Sequence, residues 1–457
     1  MQQHPGSFRD PSGFVFQDTD SLVIRSITAS YFPHYDHLMA SGLYDSLIKK
    51  NFLIPHQEDK TRWNQQERII IPTLIPFISY PYEWSFSQLK DAALLTLTIQ
   101  KEALSHGMTL KDASVYNVQF YKGAPIFIDT LSFELYEEGT PWIAYKQFCE
   151  HFLAPLALMA YKDIRLSALL KQYLDGIPVS LAAKLLPFRS YFNLSFLLHI
   201  HFHANAQKKY ESQTSKRNNY KVSKTQMWGL LDSLKSGIES CSYMPEGTEW
   251  AEYYKDDSYT QKGFESKQVI VTDFLRLAAP KIVFDIGANN GFFSRLAALH
   301  SDFVVSMDYD VACVEKNYCL LKEEQDNKIL PLVMDISNPT GGSGWASKER
   351  QALSDRCRPD CVLALAVIHH LAFSNNVPLN LLASYFSELT KSWLIIEFVP
   401  KADKKVQVLL ATRKDIFGHY TIEDFESSFE HYFNIVSKEQ INDSQRILYL
   451  MKLKHKN

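Results

Sequence analysis

Five apolar runs in the second half of the chain constrain its fold more than any other feature: KIVFDIG, DFVVSMD, ILPLVMD, DCVLALAV and SWLIIEFV. Each has strand length, is apolar at nearly every position, and is separated from the next by an amphipathic stretch. Strands that are apolar on both faces are covered on both faces, which is the property of a parallel sheet clad by helices. The alternation therefore predicts an α/β architecture with a Rossmann-like doubly wound sheet. At 457 residues the chain exceeds one ordinary core of roughly 150 residues, so two or three domains are expected, with two as the working count.

The first run continues as KIVFDIGANNGFFSRLAAL, in which a strand passes through Asp285, Gly287, Asn289 and Gly291 into an Ala-rich helix. Strand, glycine turn and helix together form a binding lip. Glycines let a ligand approach the main chain, and N–H groups exposed at a helix start attract polar or anionic groups. The spacing is DxGxxxG. A nicotinamide dehydrogenase more often shows GxGxxG, which argues against hydride transfer.

Two further acids sit at equivalent places. Asp308 ends the second run, where dinucleotide folds put an acid on ribose hydroxyls. Asp335 ends the third, where a carboxylate can accept from an adenine amino group while neighbouring apolar atoms cover the ring. DIGANNG, the acid of SMD and the acid of VMD together resemble the successive motifs of class I methyltransferases dependent on S-adenosylmethionine (SAM). The resemblance implies that Asp285 and the loop Gly287, Ala288, Asn289 and Gly291 hold the methionine part of SAM, Asp308 the ribose, and Asp335 with Ile336 the adenine. The segments LALAVIHHLAFSNNVPL, IIEFVPKADKKVQVLLATR and HYTIEDFESSF are similar to a bacterial group of nodulation-protein-type methyltransferases, and this similarity spans most of the chain.

A methyl group leaves a sulfonium by in-line displacement, so a base is needed only for some acceptors. His369 and His370 follow the fourth run, at the carboxyl edge where open α/β sheets bind ligands. They are the candidate bases, and packing under the cofactor is the alternative for each. Adjacent side chains there point opposite ways, so at most one faces the methyl group. Glu397, His419 and Tyr420 are lesser candidates.

The first half holds a second constellation in HGMTLKDASVYNVQFYKGAPIFIDTLSFE: Asp112, Asn117 and Asp129. It resembles protein kinases and aminoglycoside-type phosphotransferases. That resemblance implies Asp112 as the catalytic residue beside an accepting hydroxyl, and Asn117 and Asp129 as ligands of a magnesium-nucleotide. The frame is consistent: VIRSI as a strand, YDHLMASGLYDSLIKK as a helix, IPFISYPYEW as a strand and hinge, SFSQLKDAALLTLTIQKEALSHG as a long helix. Three features depart from it, the first being that no glycine-rich loop is found. Asp129 is followed by Thr130 and Leu131 rather than by a DFG-type glycine, and Arg25 stands where such enzymes carry a lysine. A purely structural role for the three residues in an α+β domain is the competing reading.

Residues 208–225 carry Lys208, Lys209, Lys216, Arg217, Lys221 and Lys224 against Glu211, with no apolar periodicity. They read as a solvated connector, with nucleic-acid contact as the alternative. The expected organisation is an α+β domain with kinase-like features over 1–205, a basic linker over 206–225, and a SAM-dependent methyltransferase over 226–457. The competing function is a scaffold that binds nucleotides in both halves and turns over neither.

The formal net charge of −3 provides no overall attraction to polyanions, so a small-molecule acceptor is favoured, with nucleic acid left open by the basic run. The N-terminus lacks the pattern of a secretory signal, which predicts a cytoplasmic address. No stretch reaches the roughly 18 uninterrupted apolar residues of a membrane span, since IIIPTLIPFISYPYEW is broken by Pro72, Pro76 and Pro81. The six cysteines form no CxxC pair, so neither a disulfide framework nor a zinc site is expected.

Overall fold

The computed structural model describes residues 2–17, 23–204, 221–245, 259–411 and 416–454. The chain divides into two compact units, residues 1–244 with 342–350, and residues 245–341 with 351–457. No helix among the described residues is long and apolar enough to cross a membrane.

The first unit is α+β. An antiparallel five-stranded sheet contains Gln2–Gln3, Gly13–Gln17, Val23–Thr28, Glu67–Pro72 and His56–Glu58, in that spatial order. VIRSI is a strand as expected. YDHLMASGLYDSLIKK is not one helix but two, Phe32–Ala40 and Leu43–Lys49, because Gly42 adopts a φ of 80° between them. The expected strand in IPFISYPYEW lies earlier, at Glu67–Pro72, and the prolines after it end the pairing. The long helix Phe86–Ser105 starts where Ser85 accepts from the Gln88 N–H and Gln88 returns a bond to the Ser85 N–H.

The expected boundary at 226 is corrected. Helix Lys224–Ser240 groups with the first unit, because its apolar face of Met227, Leu231, Leu234 and Ile238 is fully buried there. Ser195 Oγ donates to the Ser233 carbonyl at 2.9 Å, and His199 Nε2 meets Ser233 Oγ at 2.9 Å. Of the linker expected over 206–225, residues 206–220 lie outside the described residues.

The second unit is built on a seven-stranded sheet. The five apolar runs form β1 (Ile282–Ile286), β2 (Phe303–Asp308), β3 (Ile329–Val333), β4 (Cys361–Ala364) and β5 (Trp393–Phe398), all parallel. Two strands escaped the sequence reading: β6 (Phe433–Gln440) and β7 (Ile447–Leu453), with β7 antiparallel to both β5 and β6. The spatial order is β3-β2-β1-β4-β5-β7-β6. It reverses between β1 and β4, which is where an open α/β sheet leaves a crevice beyond its carboxyl ends. Helices used below are α1 (Gln261–Ala278), α2 (Phe292–Ala298), α3 (Val311–Glu324) and α4 (Lys404–Leu410).

One core lies between the sheet and its helices. Val283, Val304, Cys361, Leu363, Ile395, Leu448 and Leu450 meet Val271 and Leu275 of α1 and Phe293 and Ala297 of α2. Burying each large apolar side chain is worth about 1.5–3 kcal/mol, so the sheet can carry several costly polar groups at its edge.

Candidate functional site

The glycine loop is held from behind. The Gly287 and Ala288 N–H groups both donate to the Met307 carbonyl, at 2.8 and 3.0 Å, and the Asn289 N–H donates to Asp308 Oδ2 at 2.7 Å. The Asn290 N–H meets Asn289 Oδ1 at 2.7 Å, the Gly291 N–H the Ala288 carbonyl at 2.9 Å, and the Phe292 N–H Asn290 Oδ1 at 3.3 Å. From Gly287 to Phe292 every main-chain donor is therefore engaged within the protein. These N–H groups hold the turn itself. The glycines are still required, since φ is 71° at Gly287 and 80° at Gly291. A Cβ at Gly287 would lie 2.4 Å from Val367 Cγ2, and one at Gly291 2.4 Å from Asn317 Oδ1. Gly291 thus shapes the turn, while Gly287 and Ala288 face the cavity in front of it.

That cavity measures about 380 Å³. Asp285, Ile286, Gly287, Ala288, Asn289, Asp308, Asp335 and Ile336 all line it, so every cofactor residue expected from the sequence except Gly291 opens onto one space. Asp285 Oδ2 accepts from Ser294 Oγ at 2.6 Å, and Ser294 and Asn317 meet again at Ser306 Oγ. Asp308 accepts from Asn289 through Oδ2 and from the Asp310 N–H through Oδ1 at 2.8 Å, which locks the acid of β2 to the loop after β1. Asp335, just beyond β3, is exposed, and its Oδ1 accepts from the Ser337 N–H and hydroxyl at 2.8 and 2.6 Å.

Burial pushes both Asp285 and Asp308 up to about 6. For each acid such a rise corresponds to about 3 kcal/mol of destabilisation at neutral pH. The pair thus offsets the burial of about two to four large core side chains. Acids kept at such a cost beside a cavity make it a candidate functional site.

The two histidines part company. His370 lines the cavity. His369 has no exposed surface, and neither of its ring nitrogens has a hydrogen-bond partner, so it is corrected from candidate base to core residue under His370. Burial pushes the His370 imidazole down to about 4, helped by the positive charges of Arg446 and Lys405. It is neutral at physiological pH. Ala366, between β4 and these histidines, takes a φ of 55° against the cavity, a strained conformation for a residue with a side chain.

Glu397, a lesser candidate base, is fully buried in β5 and ion-paired with Lys267 of α1 at 2.7 Å and Arg446 at 3.4 Å. Burial alone would raise its carboxyl, but the two cations outweigh this and hold it low, which removes it as a base. Tyr420 is buried and donates to the Val399 carbonyl at 3.0 Å, whereas the His419 side chain is fully exposed. Neither lines the cavity. Sequence reasoning missed Lys267, which is 3% exposed and lines the cavity from a helix that precedes the first motif. Its signal was faint: a lysine surrounded by apolar helix positions.

In the first unit, Asp112, Asn117 and Asp129 do come together. The Asn117 amide donates to Ser132 Oγ at 3.1 Å, and Ser132 Oγ donates to Asp129 Oδ2 at 2.6 Å. Asp112 accepts from the Ser114 N–H at 2.9 Å and from the Gln147 amide at 2.8 Å, and burial followed by the charge of Asp129 raises its carboxyl. Arg25 forms an ion pair with Asp129. Asp129 thus has a guanidinium as its charge partner, and Asn117, Ser132 and Asp129 form a connected polar network. Among the described residues no group of three or more His, Cys, Asp or Glu side chains is placed to hold a metal ion.

A sheet that reverses order beside a strained glycine turn, with acids from three strand ends around one cavity, makes the second unit a Rossmann-like methyltransferase fold. Across its length the chain belongs to the family of nodulation protein NoeA of Rhizobium meliloti (strain 1021), with 34% identity covering 97% of this chain and 94% of that one. No family model matches the sequence. Similar solved structures include the N-methyltransferase NodS from Bradyrhizobium japonicum WM9, 12% identical, covering 43% of this chain and 98% of that one with a TM-score of 0.32. Magnesium protoporphyrin IX methyltransferase ChlM from Synechocystis PCC 6803 is 17% identical, covering 45% of this chain and 92% of that one, also with a TM-score of 0.32.

Proposed function

We propose that the second unit transfers a methyl group from SAM to a small-molecule acceptor. The observation that carries this reading is the convergence of Asp285, Gly287, Ala288, Asn289, Asp308, Asp335 and Ile336 on one cavity of about 380 Å³. The residues present suit an adenosyl amino acid. Gly287 leaves the main chain open to close approach where a Cβ would fill the cradle against Val367. Asp308 retains acceptor capacity for ribose hydroxyls beyond its main-chain bonds to Asn289, Tyr309 and Asp310. Asp335 uses only Oδ1 internally, which leaves Oδ2 for an exocyclic amine, and Met334 and Ile336 supply apolar cover. Asp285 opposes the positive charge of an ammonium group.

The bound sulfonium supplies an activated methyl group. The protein's share of the work is alignment and exclusion of water. Leu365, Val367, Leu371 and Leu409 form the apolar wall, and His370 is the polar group among them. As a neutral imidazole of lowered basicity, His370 accepts a hydrogen bond from an acceptor hydroxyl or amine and so orients its lone pair, rather than removing the proton outright.

Titration calorimetry on the intact chain tests the reading. S-adenosylhomocysteine should bind, and Asp308→Ala or Gly287→Val should weaken it by at least about tenfold. Absence of binding to the wild-type chain would overturn the assignment.

A further inference from the structure

Lys267 is the one cation among the described residues that line the cavity, where it stands with the buried acids Asp285 and Asp308. It comes from α1, upstream of every motif that reads as cofactor-binding. Its ammonium donates to Tyr259 Oη at 3.1 Å and is ion-paired with Glu397 Oε2 at 2.7 Å. The ammonium also lies 4.9 Å from the centre of the Phe293 ring, another cavity residue, and is coupled electrostatically to Asp285.

Glu397 does not depend on Lys267 alone. Tyr259 donates to its Oε1, and Arg446 lies 3.4 Å from the same oxygen. Arg446 is anchored in turn by Asp403 Oδ2 at 2.7 Å and Oδ1 at 3.1 Å, and Asp403 caps α4, which carries Leu409 into the cavity wall. Glu397 thus keeps a cationic partner in Arg446, and Lys267 stands at the cavity wall. The main-chain donors of the glycine loop, the other obvious anion ligands, are all consumed within the fold. Among the described residues, Lys267 is the cation that a carboxylate entering this cavity meets.

We propose that Lys267 binds the terminal carboxylate of an amino-acid-bearing cofactor, with Glu397, Tyr259 and Arg446 as positioning residues that hold its ammonium at the cavity edge. This subsite rests on the SAM reading above and adds to it a cation the motifs do not contain. Asp285 and Lys267 then present opposite charges to the two ends of one zwitterion, which selects a free α-amino acid over an uncharged thioether tail.

The test compares two ligands on the intact chain by calorimetry: S-adenosylhomocysteine and S-adenosyl-3-thiopropylamine, which lacks only the carboxylate. The wild-type protein should prefer the first by about 10- to 100-fold, the range of a charge-assisted hydrogen bond. Lys267→Met should weaken S-adenosylhomocysteine by a similar factor and leave the decarboxylated ligand within about threefold, while Lys267→Arg retains the preference. Equal wild-type affinity for the two ligands overturns the proposal even if no variant folds, and so does an equal loss of both ligands in a folded Lys267→Met. Failure of the wild type to bind either ligand would instead remove the SAM reading itself.

Discussion

Gly291→Ala perturbs the turn without adding charge or touching the cavity wall, and its cost can be worked from the geometry. At a φ of 80° an alanine carries the left-handed penalty, about 1–2 kcal/mol. Its Cβ would also stand 2.4, 2.5 and 2.6 Å from Oδ1, Nδ2 and Cγ of Asn317. Asn317 has little room to give, since it is 1% exposed, donates to Ser306 Oγ at 3.0 Å and accepts from Arg295 Nη1 at 3.1 Å. Displacing it forfeits two hydrogen bonds at about 0.5–1.5 kcal/mol each. The sum is about 2–5 kcal/mol, a large part of the 5–15 kcal/mol typical of a domain. Differential scanning calorimetry reads the effect on the transition that S-adenosylhomocysteine shifts upward, which belongs to the second unit. Its midpoint should fall by about 5–15 °C. Adding Asn317→Ala removes the clash, so the double variant should lose less than the two single losses combined. A Gly291→Ala midpoint within about 1 °C of wild type would refute the reasoning, because neither the backbone nor the Asn317 contribution would then be real.

Two further expectations follow from burial at the same edge. Asp285 and Asp308 hold protons more tightly folded than unfolded, so the unit loses stability as pH rises from about 4 to about 6, while ligand affinity runs the other way because ionised acids meet the ligand's ammonium and hydroxyl donors. Calorimetric affinity for S-adenosylhomocysteine should therefore weaken between pH about 7.5 and about 5, with a shallower slope in Asp308→Asn; unchanged affinity across that range would contradict the assignment of both acids. His369→Phe replaces a fully buried ring with two unpartnered nitrogens by an apolar ring, so it should raise or preserve the melting midpoint and leave methyl incorporation from labelled SAM intact. Loss of incorporation in that variant, with ligand binding retained, would return His369 to the chemistry.

The sheet and the glycine loop were legible because their signals are local. A buried parallel strand must be apolar along its whole length, a positive φ asks for glycine, and an acid at a strand end follows its strand in sequence, so Ile282–Ile286, Gly287 and Asp308 could be named from the letters alone. β6 and β7 were less legible. β6 is an edge strand whose buried Phe433 gives way to exposed polar positions, and neither strand is tied to a glycine motif. The boundary at 226 failed for a related reason: helix Lys224–Ser240 is amphipathic, and amphipathicity does not say which unit buries the apolar face.

What the sequence determined by itself was the class of the second unit, its glycine loop and the acids around it. Only the tertiary structure decided direction and partnership. His369 and His370 are adjacent letters, yet one is sealed in the core and the other lines the cavity. Asp129 has the spacing of a metal ligand, yet Arg25, brought beside it by the fold, takes its charge. Lys267 carries no motif, yet it enters the cavity because α1 packs against the sheet with its charged head between Glu397 and Phe293. The physical reason is the same in each case. Backbone conformation follows from a few neighbouring residues, whereas desolvation and charge pairing depend on groups that only the folded chain brings together.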